Sequence, residues 1–362
     1  SAPDLDDFFL GRKQEYLNLY RAVAEAAKEL SQEFKIYIPV GGPATSWWFQ
    51  NFDANSVITA ERSLIYELIK FCYRYHLPLD FISWHAYSTD PKVEKETTIY
   101  KKTGIALLRD WLSYFDFDRN TPLIIDEWNY DTNANILPER KEKSFISASY
   151  IPSRIKNMHE AGINYQLYFC LEDFQNNKEG IVRNVGVFSF DSDASEYKGA
   201  PKSIYNVFKM LSNLGHNKFS ASLKPNDEFV DVIATKTQDR IALLIYNYID
   251  PEIARNYLSR NIAALNGAQR KALLNIITSS RLEKIMSHSI EISKIRASKR
   301  LKTLLTRAQE LNERAEKFKS GARNIKMSIK NLKGNYSYQR YKIDSSCSIN
   351  CAFNPFEEKE LN

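Results

Sequence analysis

Over residues 14–173 an amphipathic helix alternates with a short apolar run four times, and this alternation limits the fold more than any other feature of the chain. The spacing predicts helices over 14–31, where Tyr16, Tyr20, Val23, Ala24, Ala27 and Leu30 recur at helical period, and over 60–75, 103–114 and 147–161. The runs between them, 34–40, 80–87, 121–130 and 165–173, read as strands. Apolar on both faces and ending in polar or aromatic residues, they resemble strands of a parallel sheet covered by helices. An α/β fold follows, either a barrel or a doubly wound sheet. In both, ligands gather at the carboxyl ends of the strands.

The third run makes that placement concrete. Leu123-Ile124-Ile125 passes directly into Asp126-Glu127-Trp128-Asn129-Tyr130, so Glu127 stands where an active-site carboxylate would stand. The competing reading is a polar strand end that holds the following loop. The paired Gly41-Gly42 permit a close backbone approach, but the spacing and the Lys of a phosphate loop are missing.

Composition narrows the class. Hydrophobic residues make up 43% and charged residues 26%, as in ordinary globular proteins. With 21 Tyr and 20 Phe the chain suits flat, partly apolar ligands such as sugar rings, although aromatics also fill cores. No run reaches the ~20 apolar residues of a membrane span, and the acidic start of the sequence does not resemble a signal peptide. Cys72 and Cys170 lie in apolar contexts. Cys347 and Cys351 lack the partners of a zinc site and are read as a local disulfide or as two free thiols.

After a further helix over 201–214, the pattern changes to a hairpin of two strands over 228–236 and 240–247, and then to helix-forming sequence over 251–321. Strands are predicted again over 324–332 and 336–344, around Lys333-Gly334-Asn335. Residues 251–324 hold 16 Lys or Arg against 6 Asp or Glu, so the net charge of +6 belongs to this segment. Lys294, Arg296, Lys299, Arg300, Lys302 and Arg307 suit an anionic polysaccharide, a nucleic acid or a membrane surface. Interspersed acids and an apolar stripe of ordinary width equally suit a solvated helical hairpin, and no nucleic-acid-binding motif is present.

Several stretches together resemble glycoside hydrolase family thirty-nine, the β-xylosidases and α-L-iduronidase of the retaining (β/α)8-barrel clan. They are Pro3-Asp4-Leu5 with Phe8-Phe9, Val40-Gly41-Gly42-Pro43-Ala44, Leu79-Asp80-Phe81-Ile82-Ser83 with His85-Ala86-Tyr87, Asp126-Glu127-Trp128-Asn129, and Gly186-Val187-Phe188 followed by Ala200-Pro201-Lys202. The resemblance implies hydrolysis of an oligo- or polysaccharide with Glu127 as nucleophile, no metal or cofactor, and an extracellular or cell-surface location. It also implies sugar-site roles for His85, Tyr87 and Asn129. Trp47, Trp48, Trp84 and Trp128 suit stacking on sugar faces, with core packing as the other reading for two of the four, and Glu172 and Asp173 suit hydroxyl recognition, with solvated surface carboxylates as the alternative. The family's acid/base position falls on Ala2, which has no proton to give.

The same resemblance makes the four strands the fifth to eighth of the barrel. Residues 1–214 then form a partial barrel, 215–250 and 322–345 an accessory β-rich domain, 251–321 a basic helical insertion and 346–362 a tail. A half barrel leaves sheet edges unpaired. The chain is thus a fragment, or is completed by a second copy or a partner chain, or has become a non-catalytic carbohydrate-binding or assembly module.

Overall fold

The computed structural model describes residues 2–6, 8–48, 60–130, 145–176, 181–183, 185–189, 199–224, 227–319, 324–331, 336–344 and 357–361. Cys347, Cys351 and the turn at 333–335 lie outside them. The chain forms two compact units: 1–130 with 157–169 and 251–313, and 131–156 with 170–250 and 314–362.

The first unit is built on a parallel sheet. Helix α1, Lys13–Phe34, buries Leu17, Tyr20, Ala24 and Ala27, one stripe at helical spacing, and ends where Lys35 turns left-handed. Strand β1 is Gly41–Thr45, not the 34–40 run expected from its β-prone side chains. Phe34, Ile36 and Tyr37 are exposed there, without a ladder partner. The pairing falls instead on glycine, because a Cβ on Gly41 would lie 2.2 Å from the carbonyl oxygen of Phe81.

Helix α2, Leu64–Tyr75, starts at Ser63, whose hydroxyl accepts from the Tyr66 amide, and it buries Leu64, Ile65, Leu68, Ile69 and Cys72. Strand β2, Phe81–Tyr87, follows. Helix α3, Gly104–Tyr114, is capped in the same way by Thr103 and leads to strand β3, Leu123–Asn129. Helix α4, Phe145–Ala161, precedes strand β4, Tyr165–Tyr168. The strands lie in the order β1-β2-β3-β4, all parallel, each beside its neighbour in sequence. Ile82, Leu123 and Ile125 are wholly buried, and so is Trp84.

Also in the first unit are the helices Ile253–Arg260, Gly267–Ile277, Arg281–Met286 and most of Lys299–Phe318. Leu258, Leu273, Ile276, Ile285, Leu301 and Leu305 give them a core of their own. The first of these helices is tied to the loop after β2. Arg260 pairs with Asp90 at 3.0 Å and with Glu96 at 3.2 Å, and Asn256 donates to Thr89 at 2.8 Å.

In the second unit the helix Ser203–Ser212 precedes an antiparallel hairpin, Val230–Lys236 with Ile241–Asn247, extended by Asn217–Lys218. Residues 324–331 form no strand. Ile325, Met327 and Ile329 alternate as strand residues do but remain exposed, with no partner in a ladder. Tyr336–Arg340 pairs with Glu357–Leu361, not with the 324–332 run.

Candidate active site

A break in register shapes the site. β2 and β3 pair from Ile82–Leu123 to Trp84–Ile125, skip Asp126, and resume at His85–Glu127 and Tyr87–Asn129. Such a bulge adds one residue to one strand and re-aims the side chains beyond it. Strict alternation would send Asp126 and Glu127 to opposite faces. With the extra residue both carboxyl groups reach the same imidazole. His85 Nε2 lies 3.7 Å from Asp126 Oδ1, and His85 Nδ1 lies 3.6 Å from Glu127 Oε2.

The other oxygen of Glu127 is also met, since the Tyr87 hydroxyl donates to Oε1. Tyr87 and His85 both come from β2, two residues apart and so on one face of the strand, which is why His-x-Tyr can address a single carboxylate. The His85 side chain is only 7% exposed, whereas Glu127 keeps 24% of its surface open. A carboxylate held by the Tyr87 hydroxyl, faced by an imidazole and still accessible can act as a nucleophile or as a base.

Asp126 was not anticipated from the sequence, because a bulge leaves no mark in a period-two pattern. Burial raises its carboxyl above the ordinary carboxylate range, opposed by the Ser83 hydroxyl and the His85 ring and reinforced by the charge of Glu127. Its Oδ1 is buried without a hydrogen-bond partner. The folded chain therefore holds this proton to higher pH than the unfolded chain does. The associated stability is complete below the unfolded value and is lost as pH rises through the folded one. Asp126→Asn is expected to gain thermal stability over the parent protein at pH 8 more than at pH 4, as read from melting curves. An equal difference at both pH values would contradict the assignment.

The indoles divide. Trp48, Trp84 and Trp128 are at most 2% exposed, and Trp48 stacks on Trp84 with centroids 6.1 Å apart and planes 13° apart. Trp128 meets Tyr168 edge to face at 5.1 Å. These three have no open face for a sugar, which leaves Trp47, packed edge to face on Trp48, as the partly accessible one. Trp84→Ala is expected to cost ~3–5 kcal/mol, the scale of truncating a buried aromatic, measured by urea unfolding. A loss below ~1 kcal/mol would show that the ring is not core. Asn129 is buried, donating to the Phe169 carbonyl and accepting from the Tyr130 amide at 2.6 Å.

Glu172 and Asp173 belong to the second unit. Asp173 is buried, with Lys202 Nζ and the Gly186 amide both 2.7 Å from its Oδ1, so this carboxylate is a structural anchor and not a surface for sugar hydroxyls. Glu172 is half-buried and bridges to Phe188. Ala2 is 2% exposed, and its amide donates to the Ala44 carbonyl at 2.7 Å, which fixes it at the end of β1. Among the described residues no group of three or more His, Cys, Asp or Glu side chains is placed to hold a metal ion. No described helix is long and apolar enough to cross a membrane.

Comparison with known proteins gives this geometry a context. The chain is 26% identical to a β-xylosidase of Caldicellulosiruptor saccharolyticus over 255 residues, which are 69% of this chain and 47% of that protein. The crystal structure of a glucosidase from Croceicoccus marinus superposes on 70% of this chain and 48% of its own, with a TM-score of 0.51 and 18% identity, a likeness of fold. A family 39 enzyme from Xanthomonas axonopodis pv. citri matches 69% of this chain and 46% of its own, with a TM-score of 0.48 and 21% identity. The chain thus spans about half the length of the relatives it matches. Residues 1–262 match the family described as glycosyl hydrolases family 39, more than half of the chain, and the chain belongs to that family.

Proposed function

We propose that this chain serves the hydrolysis of a glycosidic bond in an oligo- or polysaccharide, with Glu127 as the nucleophile of a retaining displacement. The observation that carries this reading is the clamp on Glu127: a phenol on one carboxylate oxygen and an imidazole facing the other, at the carboxyl end of a parallel strand. The Tyr87 hydroxyl on one oxygen aims the group, as attack on an anomeric carbon requires. Trp47 is the indole proposed to touch the sugar.

The four strands are proposed to be the fifth to eighth of a (β/α)8 barrel. Their sequential order supports this, since a doubly wound sheet reverses its order at a switch point. So does the exposure of Tyr165 and Leu167 on β4, an apolar face in need of cover. Retention requires a second carboxyl about 5 Å from the nucleophile, to protonate the leaving oxygen. That group is proposed to come from residues outside this chain, carried by a longer product, a second copy or a partner. The burial of Ala2 at the matching position favours the alternative of an impaired carbohydrate-binding module.

An activated aryl glycoside separates the two readings, because its leaving group departs without a proton donor. Losing the acid costs ~10²–10⁴ in rate for ordinary leaving groups and little for this one. A stoichiometric burst of aryl alcohol is expected. Binding of the sugar without a burst would favour the impaired module.

A further inference from the structure

The basic segment holds a groove that chemistry at Glu127 does not use. It lies between the helices Ile253–Arg260 and Lys299–Phe318, has a volume of about 720 Å3, and is lined in part by Tyr257, Lys299, Lys302, Thr306, Arg307 and Glu310. The last five recur at three- and four-residue steps and so form one stripe of the longer helix, while Leu301, Leu305 and Ala308 form another that is buried in the helical core. Of the six cations that the sequence offers to an anion, three gather here. Lys294 is instead paired with Glu291 at 2.8 Å.

The lining is short of negative charge. Its one acid, Glu310, is held by Arg307 at 3.1 Å, which leaves two lysines over. Lys302 Nζ is steadied by the Ser293 carbonyl at 2.6 Å, a neutral partner that does not cancel its charge, and Lys299 is exposed and makes no ion pair among the described residues. Both stand in the first turn of a 20-residue helix that carries no acid there, although that end of a helix favours anions. A bound anion would satisfy the ammonium groups and the helix end together. Tyr257 adds a half-buried ring and Thr306 a hydroxyl, groups that suit a sugar. The helix carrying Tyr257 is also tied to the carboxyl end of the sheet, since Asn256 donates to Thr89, two residues beyond the Tyr87 that meets Glu127. We propose that the groove binds an acidic stretch of a saccharide chain, carrying uronate carboxylates or sulfate esters, as a subsite separate from Glu127. A nucleic acid suits it less, because Glu291, Glu310 and Glu313 interrupt the cations where a duplex needs a continuous stripe.

The choice of a saccharide rests on the glycosidase reading, but the test needs no turnover. Calorimetric titration of the full chain with an oligogalacturonate probes the carboxylate form, and titration with a carrageenan oligosaccharide probes the sulfate form. One or both are expected to bind, and to weaken as salt rises. Lys299→Glu should weaken that binding about tenfold or more, the scale of a lost charge-assisted contact, and should melt no lower than the parent, because an acid suits the first turn of a helix. Glu310→Gln should tighten it. Lys271→Glu, an equal change of charge at an exposed position of the helix Gly267–Ile277, is the control and should leave it unchanged. Should Lys299→Glu fail to fold, the contrast between Glu310→Gln and the control decides alone. No binding of either acidic chain, an equal loss in Lys271→Glu, an unchanged affinity in Glu310→Gln, or duplex DNA bound as tightly as the sugar would overturn the proposal. Glycosylation of Glu127 by an activated substrate is scored separately. Its absence beside binding in the groove sinks the nucleophile reading, and its presence without such binding sinks this one.

Discussion

Glu127→Gln is expected to leave the chain folded and to remove the aryl-alcohol burst, with a fall of roughly 10⁴-fold in the rate of glycosylation, the scale of losing a nucleophile that no neighbour replaces. The amide keeps an oxygen for the Tyr87 hydroxyl, so packing at the end of β3 is largely retained. It also removes a charge that pushes the Asp126 carboxyl up, and Asp126 should then titrate lower in this variant. Stopped-flow absorbance measures the first effect and carbon-detected titration the second. A Gln variant with an undiminished burst would mean that another group attacks.

A loss of stability as large as that of Trp84→Ala is expected in the second unit, from Lys202→Ala. The Asp173 side chain is only 2% exposed, and its ion pair with Lys202 closes at 2.7 Å. Removing the cation leaves a buried charge with the Gly186 amide as its remaining partner on Oδ1, and breaking such a pair costs about 3–5 kcal/mol. Lys224→Ala, at an exposed position of the same unit, is the control and should cost less than ~0.5 kcal/mol. Denaturant unfolding checks both, and equal losses would remove the distinction.

The α/β class and the order of helices and strands were legible because the helical stripes of α1 to α3 and the apolar runs of β2 and β3 state their periods plainly. β1 was misplaced because the β-prone residues at 34–40 outweigh two glycines on propensity, whereas pairing with Phe81 turns on a backbone approach that only glycine allows. The 324–332 run shows the same weakness from the other side: alternation without a partner makes no strand.

At the site, the Tyr87–Glu127 contact could be read in advance, since both residues end adjacent strands. Asp126 could not, because its direction depends on a bulge. Which tryptophans stack and which are core stayed open for a related reason. A strand buried on both faces gives no sign of which side faces a ligand, and the indoles of Trp84 and Trp128 turned out to be core. Asp173 shows that a carboxylate at a strand end can equally anchor a fold, as its pair with Lys202 does.

The central claim is that Glu127 attacks an anomeric carbon, and trapping the covalent adduct tests it most directly. A 2-deoxy-2-fluoro glycoside with a dinitrophenyl leaving group slows the second step, so the glycosyl-enzyme should accumulate. Digestion and tandem mass spectrometry should then place the added mass on Glu127 in the peptide containing Leu123–Asn129. A sugar adduct on any other residue, or a folded chain that binds the sugar and takes up no mass, would contradict the account.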